Sequence, residues 1–505
     1  MVGSPRPLEV LMGLLLASGP ALAQCGLQWA PLPGAGMAIG ANSLTVTPNG
    51  DLYMVGWEDP VTFEVGASRW DGTSWTHWPN VFVNKLVWAS AALLDGRVVA
   101  AGELVAPQST YCPVVVWNGS TWGPLAQAGS QQFTYPSDAV CLTVMPNGDV
   151  VAGGSFQFPN QSVDIVRFDG SQWFALPARP GNSSVGVVRG LANGDLVAGS
   201  YVNSSTSVVH RWNGSSWTLF GTFGPRPQSS GADIHGICEL PDGRIAVTGF
   251  FGSVDGVPAR CVAIYDGTNW SALGAGIAGS STYGQTVQAL PNGDLLLGGF
   301  FSNVGGVAAA NIARWNGATW SALGSGITGG SPWAYQIASR PQGDLVVHGG
   351  FTQAGGQPAT NLARLVPPCP ATTSNLGNGC ASSAGPMQLT SLNLPWIGST
   401  FRSTTTGIAP NSISFGLMGF TASAVPLVAL HPAGLPGCTL LLDPILTILC
   451  ATAGGSADFA LALANQPALV GIPLYHQVLQ AELTPGFDIA ALAGSNALAL
   501  VIGSL

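Results

Sequence analysis

The side chains best suited to chemistry in this sequence stand eight or ten residues before regularly spaced glycines. Counting back from those glycines gives the candidate binding set Asp138, Asp233, His235, Tyr283, Trp333 and Tyr335. Aromatic rings stack on the apolar face of a sugar, and carboxylates accept hydrogen bonds from its hydroxyls. The set therefore favours glycan recognition, and the alternative is that these side chains only fill a channel or begin strands.

A catalytic interpretation rests on Asp233 and His235, which stand two residues apart and so share one face of a strand. They could orient each other as an acid–base pair. No nucleophile beside a base and no group of residues with metal-ligand spacing accompanies them. We therefore predict no catalytic residue, no cofactor and no metal.

The glycines belong to a repeat with a period of roughly 50 residues, which indicates a repeat architecture. They are Gly50, Gly96, Gly148, Gly194, Gly243, Gly293 and Gly343. In each complete copy two apolar runs flank this turn, and a hairpin of the form aromatic–Asp/Asn–Gly–x–x–Trp follows. Two hairpins give four antiparallel strands, which can bury both faces only by stacking around an axis. The sequence predicts an all-β fold, a seven-bladed β-propeller.

The seventh copy lacks its last strand, because Pro367 and Pro368 end the pattern. The missing strand is predicted at the other end of the chain, where residues 29–37 resemble residues 320–327. An N-terminal strand would then close the ring and cover an open sheet edge. Deletion of residues 25–35 should open the ring and change the melting transition.

The most regular side chains of the repeat have a structural explanation. The paired aromatic residues are Trp70/Trp75, Trp117/Trp122, Phe168/Trp173, Trp212/Trp217, Tyr265/Trp270 and Trp315/Trp320. Rings at equivalent places in every copy are expected to fill the space between strands. The repeated turn acids are Asp51, Asp149, Asp195, Asp294 and Asp344. We expect them to bond nearby backbone amides.

One family resemblance is carried by Gly-Gly at the end of the second strand (Gly153-Gly154, Gly298-Gly299, Gly349-Gly350) with the later aromatic residue and Trp. This combination resembles the kelch or galactose-oxidase class of propeller. Residues 305–326 are similar to repeats of secreted bacterial kelch-like proteins and of fungal cortical polarity-marker propellers. The resemblance covers roughly residues 25–366 and implies an architecture without an activity. The tyrosine, histidine and cross-linked cysteine of the copper oxidases have no matching motif here, so oxidase activity is not expected.

The N-terminal residues predict export. Arg6 precedes an apolar run over residues 10–23 that ends in Ala21-Leu22-Ala23, which is typical of a signal peptide comprising residues 1–23. No later segment has about 20 uninterrupted apolar residues, so no membrane span is predicted. The protein is expected to be secreted, or to reside at the cell surface or in a periplasm, as a monomer.

Composition excludes one class of partner. Only 8% of residues are charged, Lys85 is the only lysine and the net charge is −9. Such a chain offers no basic patch to neutralise a phosphate backbone, so nucleic acid is not an expected partner. A glycan or an extracellular protein remains the expected ligand.

Nine cysteines in an exported chain predict disulfides with at least one thiol left over. Register places Cys25 and Cys369 at the same end of the closing hairpin, so we expect them to pair. In the C-terminal region Cys438 could pair with Cys450, or either of them with Cys380. Peptide mapping that found Cys25 reduced would contradict the first pairing.

The repeat covers residues 25–368, and residues 371–505 follow a different plan. Their short apolar and alternating runs, separated by Gly and Pro, predict a β-sandwich. The stretches 435–438, 465–471 and 495–503 resemble a C-terminal module of exported bacterial proteins. That resemblance implies no established activity, and anchoring, sorting or carbohydrate binding stay open.

The sequence is therefore compatible with three functions. The favoured one is an exported, non-enzymatic binding or scaffold protein that recognises a glycan, a protein or an envelope component through the loop face of the propeller. One alternative is a polysaccharide lyase or hydrolase that uses the channel acids with Tyr283 or Tyr335. The other alternative is a structural spacer at the cell surface, attached through residues 371–505.

Overall fold

The computed structural model describes residues 27–30, 32, 42–58, 65–82, 86–104, 112–125, 133–158, 161–181, 184–227, 229, 231–367 and 369–504. The predicted signal peptide, residues 1–23, and Cys25 lie outside the described residues. The chain divides into two compact units, with one formed by Gln28–Val366 and the other beginning at Pro367.

The unit Gln28–Val366 consists of strands joined by turns. In chain order its strands are β1 (Gln28–Ala30), β2 (Ser43–Val46), β3 (Leu52–Glu58), β4 (Val65–Trp70), β5 (Trp75–Phe82), β6 (Val87–Ala92), β7 (Val98–Gly102), β8 (Val114–Trp117), β9 (Trp122–Pro124), β10 (Thr134–Val144), β11 (Val150–Phe158), β12 (Gln161–Phe168), β13 (Trp173–Ala175), β14 (Ser184–Gly190), β15 (Leu196–Asn203), β16 (Thr206–Trp212), β17 (Trp217–Gly224), β18 (Asp233–Glu239), β19 (Ile245–Phe250), β20 (Ser253–Val254), β21 (Val257–Pro258), β22 (Val262–Tyr265), β23 (Trp270–Ala272), β24 (Tyr283–Ala289), β25 (Leu295–Phe300), β26 (Asn303–Val304), β27 (Val307–Ala308), β28 (Ile312–Trp315), β29 (Trp320–Ala322), β30 (Ile327–Thr328), β31 (Ala334–Ser339), β32 (Leu345–Gly349), β33 (Gln353–Ala354), β34 (Gln357–Pro358) and β35 (Leu362–Val366).

Within the described residues, seven four-stranded antiparallel arrangements match the seven copies of the sequence repeat one for one. They are β2-β3-β4-β5, β6-β7-β8-β9, β10-β11-β12-β13, β14-β15-β16-β17 (extended by β20-β21), β18-β19-β22-β23, β24-β25-β28-β29 and β31-β32-β35-β1. The first strand of each sheet contacts the first strand of the next, from β2 through β6, β10, β14, β18, β24 and β31 back to β2. Sheets arranged around a ring of inner strands form a β-propeller. The all-β propeller prediction is confirmed.

The last sheet is completed by β1 from the N-terminal end of the unit, as the sequence predicts. Trp29 of β1 stands opposite Leu365 of β35 in an antiparallel pair. Its indole N–H donates a 2.8 Å hydrogen bond to the Leu323 carbonyl. A Cβ built on Gly355 would lie 2.4 Å from Cδ1 of this indole, so the ring occupies the space that this glycine leaves open. Strand pairing and side-chain packing thus both hold the closing strand.

The paired aromatic residues of the repeat pack against each other, which confirms their structural role. In all six pairs the ring centroids are 5.3–6.4 Å apart. The indoles of Trp217, Trp270 and Trp320 also donate hydrogen bonds of 2.8–2.9 Å to carbonyls of the preceding sheet. These tryptophans therefore join neighbouring sheets as well as filling the space between them.

The repeated turn acids have stronger partners than the backbone amides that the sequence suggested. Each carboxylate pairs with an arginine that follows in the third strand of the same sheet. The pairs are Asp51–Arg69, Asp149–Arg167, Asp195–Arg211, Asp294–Arg314 and Asp344–Arg364. Because each pair ties the first hairpin to the third strand, these acids serve the scaffold.

The unit that begins at Pro367 has its own strands. They are β36 (Thr372–Leu376), β37 (Ala381–Ser382), β38 (Gly385–Pro386), β39 (Gln388–Ser391), β40 (Thr400–Thr406), β41 (Ser412–Gly419), β42 (Ala422–Pro426), β43 (Thr439–Leu442), β44 (Leu446–Leu449), β45 (Ala451–Ala453), β46 (Ser456–Ala462), β47 (Pro473–Leu483) and β48 (Ile489–Val501), with a short helix α1 (Leu427–Leu430) and a 3₁₀ turn at Pro467–Leu469. The two larger sheets have the strand orders β36-β48-β47-β41-β44 and β39-β40-β46-β45.

Side chains from both larger sheets share one hydrophobic core. Phe401 and Phe459 come from the four-stranded sheet, and Leu417, Val478 and Leu498 come from the five-stranded sheet. Each of these five side chains is less than a tenth exposed. The two larger sheets therefore share one hydrophobic core, and the β-sandwich stays a prediction for this unit.

One disulfide joins described cysteines, between Cys380 and Cys438, and this pairing is one of the alternatives that the sequence left open. Cys450 is a buried free thiol, so the structure does not contain the Cys438–Cys450 alternative. Cys369 is also disulfide-bonded. Its pairing with Cys25 stays a prediction, because Cys25 lies outside the described residues.

Candidate functional site

The inner strands of six sheets share one irregularity, a change of register that leaves a single residue without a partner opposite it. These residues are Trp88, Val140, Gly186, His235, Gln285 and Tyr335. They are the residues that stand eight positions before a turn glycine. Because a β-bulge bends the strand and re-aims a side chain, the repeat itself produces a special position at one end of the ring.

In five of these six sheets a glycine of the second strand stands opposite the residue before the irregularity, and in the sixth Ser200 stands there. A Cβ built on Gly249 would lie 2.1 Å from the carbonyl oxygen of Asp233, and one built on Gly349 would lie 1.8 Å from that of Trp333. No side chain fits at such distances in these two sheets. Gly249 and Gly349 therefore let the backbone of the inner strand approach the second strand just where the candidate residues begin.

Four of the six candidate residues form a continuous chain of rings. The ring centroids of His235 and Tyr283 are 5.4 Å apart, those of Tyr283 and Trp333 are 5.7 Å apart, and those of Trp333 and Tyr335 are 6.0 Å apart. All three contacts are edge-to-face, a favourable geometry for aromatic pairs. Together with Asp233, which lies beside His235, these residues are here called the mouth cluster.

Asp233 supplies the negative charge of the mouth cluster. One of its oxygens, Oδ2, lies 3.4 Å from Nε2 of His235, and the other accepts a 2.8 Å hydrogen bond from the N–H of Ile234. Nδ1 of His235 lies 3.0 Å from the Gly284 carbonyl, which can only accept, so this nitrogen donates. The Asp233 side chain is 55% exposed, which leaves its carboxylate accessible to a ligand.

The hydroxyl of Tyr283 is a hydrogen-bond donor at neutral pH. Burial, with a smaller effect from Tyr335, raises the pKa of Tyr283 above its ordinary value of 10.0. A lyase that used Tyr283 as its base would need the pKa to be lowered. The environment of this residue therefore favours binding over proton abstraction.

Asp138 does not join the mouth cluster. It lies on β10, opposite Ser155 of β11, and β14 separates its strand from β18, which carries Asp233 and His235. The repeat places Asp138 and Asp233 in the same register, but register fixes only the height of a residue along its strand. Asp233 lies two copies further around the ring than Asp138, so the two side chains belong to different sectors of the ring.

Sequence reasoning missed two side chains that support the mouth cluster. The Phe300 ring contacts Tyr283 at 6.3 Å and Trp333 at 5.8 Å. Arg226, which is 5% exposed, donates hydrogen bonds to the carbonyls of Thr282 and Gly279 and so braces the segment that leads into Tyr283. Phe300 could have been found from the sequence Gly299-Phe300-Phe301. Phe301 is a core residue, and successive side chains of a strand point to opposite faces, so Phe300 must face away from that core. Nothing in the sequence singles out Arg226.

Exposed apolar side chains occupy another sector at the same end of the ring. Leu86, Trp88 and Val140 are 48%, 45% and 38% exposed. They stand at the same two repeat positions as the mouth cluster, but in the second and third copies, where Asp138 is the one polar residue at these positions. The exposed apolar groups of this sector contrast with the polar and aromatic groups of the fifth to seventh copies.

Two surface depressions lie at the opposite, tight-turn end of the inner strands. One of about 410 Å³ includes Asn147, Asp149 and Arg167, and one of about 540 Å³ includes Glu239 and Gln288. Their polar groups already bond within the scaffold, since Asp149 pairs with Arg167 and Glu239 accepts from the N–H of Ala192. The mouth cluster, with its exposed carboxylate and connected rings, is the better candidate for ligand binding.

A buried serine–histidine contact lies in the unit that begins at Pro367. Nδ1 of His476 lies 3.0 Å from the Leu417 carbonyl and so donates, which leaves Nε2 to accept from the Ser403 hydroxyl at 2.9 Å. Ser403 and His476 are at most 1% exposed. Burial lowers the pKa of His476 to about 4. A ligand cannot reach this pair, which links the two sheets of the core.

In the part of the chain that the structure describes, no three histidine, cysteine or acidic side chains are grouped so as to hold a metal ion. No helix among the described residues is long and apolar enough to cross a membrane.

Comparison with solved structures finds propellers at low identity. The chain is similar to a protein in the crystal structure of a mitotic checkpoint complex, with 14% identity, a TM-score of 0.44 and coverage of 72% of this chain and 98% of the other. It is also similar to BBS1N in complex with ARL6DN (11%, TM-score 0.40, 67% and 97% coverage) and to AofleA from Arthrobotrys oligospora (11%, TM-score 0.34, 59% and 88% coverage).

No protein-family model matches the chain, and no curated protein is significantly similar to it. The three TM-scores are below 0.5. The fold assignment therefore depends on the strand topology described above, and the function must be inferred from the site itself.

Proposed function

We propose that this chain is an exported binding protein that recognises a glycan through the mouth cluster of its propeller. The observation that carries the proposal is the chain of rings from His235 to Tyr335 beside an exposed carboxylate. Tyr335 is 37% exposed, so its ring offers a surface to a ligand instead of only filling the channel. Rings stack on the C–H face of a sugar, while Asp233 and the two phenols bond its hydroxyls.

Export remains part of the proposal and is supported by the predicted signal peptide and by the disulfide Cys380–Cys438. Recovery of the protein outside the cytoplasm, cleaved after Ala23, would support it. Retention of residues 371–505 on the cell envelope would instead favour the structural spacer.

The decisive experiment is a glycan-array screen followed by titration of every ligand that binds. Trp333→Ala and Asp233→Asn should each lower the affinity at least about tenfold. Phe174→Ala is the matched control, because this exposed ring lies on an outer strand, β13, and should leave the affinity unchanged. Unchanged affinity in both mouth variants would exclude this site.

The catalytic alternative is favoured by one contact, the 3.4 Å approach of Asp233 to His235. Incubation with a panel of polysaccharides separates the two functions. Release of new chain ends that is lost in His235→Gln would make the site catalytic, whereas binding without turnover agrees with the proposal.

A further inference from the structure

The strand β44 lies at the edge of the five-stranded sheet in the C-terminal unit. It pairs with β41 on one side, and no described strand pairs with it on the other. An edge strand presents unpaired N–H and C=O groups that can pair with another chain.

The other edges of the two larger sheets carry protective features that β44 lacks. The edge strands β36 and β39 have the polar sequences TTSNL and QLTS, and β45 has only three residues. In contrast, β44 has the sequence LTIL, and residues 444–457 around it contain no charge. Edge charges, polar residues and prolines normally oppose self-association. The strand β44 contains one polar residue, Thr447, among three aliphatic ones, and Pro444 stands before the strand and not within it, so β44 itself is the pairing edge.

The backbone alternation of β44 identifies the groups that face outward. The N–H of Cys450 donates a 2.9 Å hydrogen bond to the Ser414 carbonyl of β41. Because successive residues of a strand alternate in direction, Ile448 also faces β41, whereas Thr447 and Leu449 direct their backbone groups to the open edge. The alternation ends before Ile445, whose N–H donates a 2.8 Å hydrogen bond to the Met418 carbonyl of β41, so the outward backbone groups of this segment are those of Thr447 and Leu449. The side chains of Ile445 and Leu449 are 49% and 67% exposed, while Ile448 packs against the core.

We propose that β44 pairs antiparallel with β44 of a second copy of this chain, centred on Thr447. A two-fold interface brings the same segment from both copies together, so the segment must be complementary to itself. Centring on Thr447 places Ile445 opposite Leu449, Leu446 opposite Ile448 and Thr447 opposite its counterpart. Aliphatic pairs and a Thr–Thr pair are favourable cross-strand neighbours. The outward groups of Thr447 then exchange both hydrogen bonds across the axis.

The charges across the interface and the surface area that it buries determine how stable this dimer is. The register sets Asp443 opposite Ala451, so no like charges meet. A pair of short strands buries less than the roughly 1,200 Å² of a stable interface. The dimer is therefore weak and depends on concentration, unlike the monomer that the sequence analysis expected.

Sedimentation velocity of the full chain over a range of concentrations tests the pairing. The protein should dimerise at about 100 µM and be monomeric at about 1 µM. Leu449→Lys places a charge opposite Ile445 of the second copy at each end of the paired strands and should remain monomeric throughout. The control Leu392→Lys changes a comparably exposed leucine, 60% exposed, just after the edge strand β39, and should dimerise like the parent.

Cysteine cross-linking tests the register itself without a charge substitution. Among antiparallel pairings, only the proposed register places residue 447 opposite its own copy, so Thr447→Cys should form a covalent dimer on oxidation. Thr452→Cys, on the exposed strand β45, should not. A parent chain that is monomeric at about 100 µM, a Leu449→Lys variant that dimerises, or equal cross-linking at both positions would each overturn the proposal.

Discussion

Gly249 lies so close to the backbone of Asp233 that even a methyl group has no room there. The built Cβ would be 2.1 Å from the Asp233 carbonyl oxygen and 3.0 Å from Cα of Ile234. Both neighbours are backbone atoms, which cannot move without changing the register of β18 against β19. This glycine therefore helps to set the direction of His235, the unpaired residue of that strand.

Gly249→Ala should lower the free energy of unfolding by about 2–4 kcal/mol, because the inner strand must shift to admit the methyl group. The same shift should weaken binding of any ligand of the mouth cluster. Gly123→Ala is the matched control, since no atom lies within 4 Å of its built Cβ. Chemical denaturation measures both variants, and equal stability would show that β18 does not depend on this close approach.

At the scale of the element, β1 combines a short length with a large structural effect. It has only three residues, yet it is the fourth strand of the last sheet. Its central residue, Trp29, bonds the Leu323 carbonyl of the preceding sheet, as the repeated tryptophans do in other copies. A strand that closes a ring supports both neighbouring sheets at once.

Trp29→Ala should lower the free energy of unfolding by about 3 kcal/mol, because it removes a large ring and its inter-sheet hydrogen bond. Gln28→Ala on the same strand is the control, since the Gln28 side chain is exposed and the backbone pairing is retained. Thermal melting of both variants checks the expectation. A Trp29→Ala melting temperature equal to that of Gln28→Ala would mean that backbone pairing alone closes the ring.

At the scale of the whole molecule, each unit buries a histidine whose surroundings disfavour the protonated, charged ring. Burial lowers the pKa of His348 and that of His476 to about 4, from an ordinary value of 6.5. An unfolded chain would protonate both rings near their ordinary pKa. Between these two values the unfolded state binds more protons than the folded state, so stability falls as the pH falls.

Lowering the pH from about 7 to about 5 should cost on the order of 2 kcal/mol of unfolding free energy for each of these histidines. His348→Gln and His476→Gln should each remove part of this pH dependence, even where they lower stability at pH 7. Denaturant titrations at both pH values supply the measurement. A parent protein with the same stability at both would contradict the assignment of neutral, buried rings.

The sequence alone determined the repeat, the closing role of the N-terminal strand around Trp29 and the height of the candidate residues along the inner strands. These features depend on local physics, because turn glycines and alternating apolar residues specify hairpins whose strand lengths are fixed. Counting from a turn therefore located Asp233, His235 and Tyr335 correctly within their strands.

Only the tertiary structure decided which of those residues meet. Tyr283, Trp333 and His235 come from three different sheets, and their contacts depend on the order of inner strands around the ring. The same order separates Asp138 from them, although its register is identical. The choice of Cys380 over Cys450 as the partner of Cys438 depends likewise on how distant segments fold together. Periodicity specifies positions along a strand, whereas proximity between strands is a property of the assembled fold.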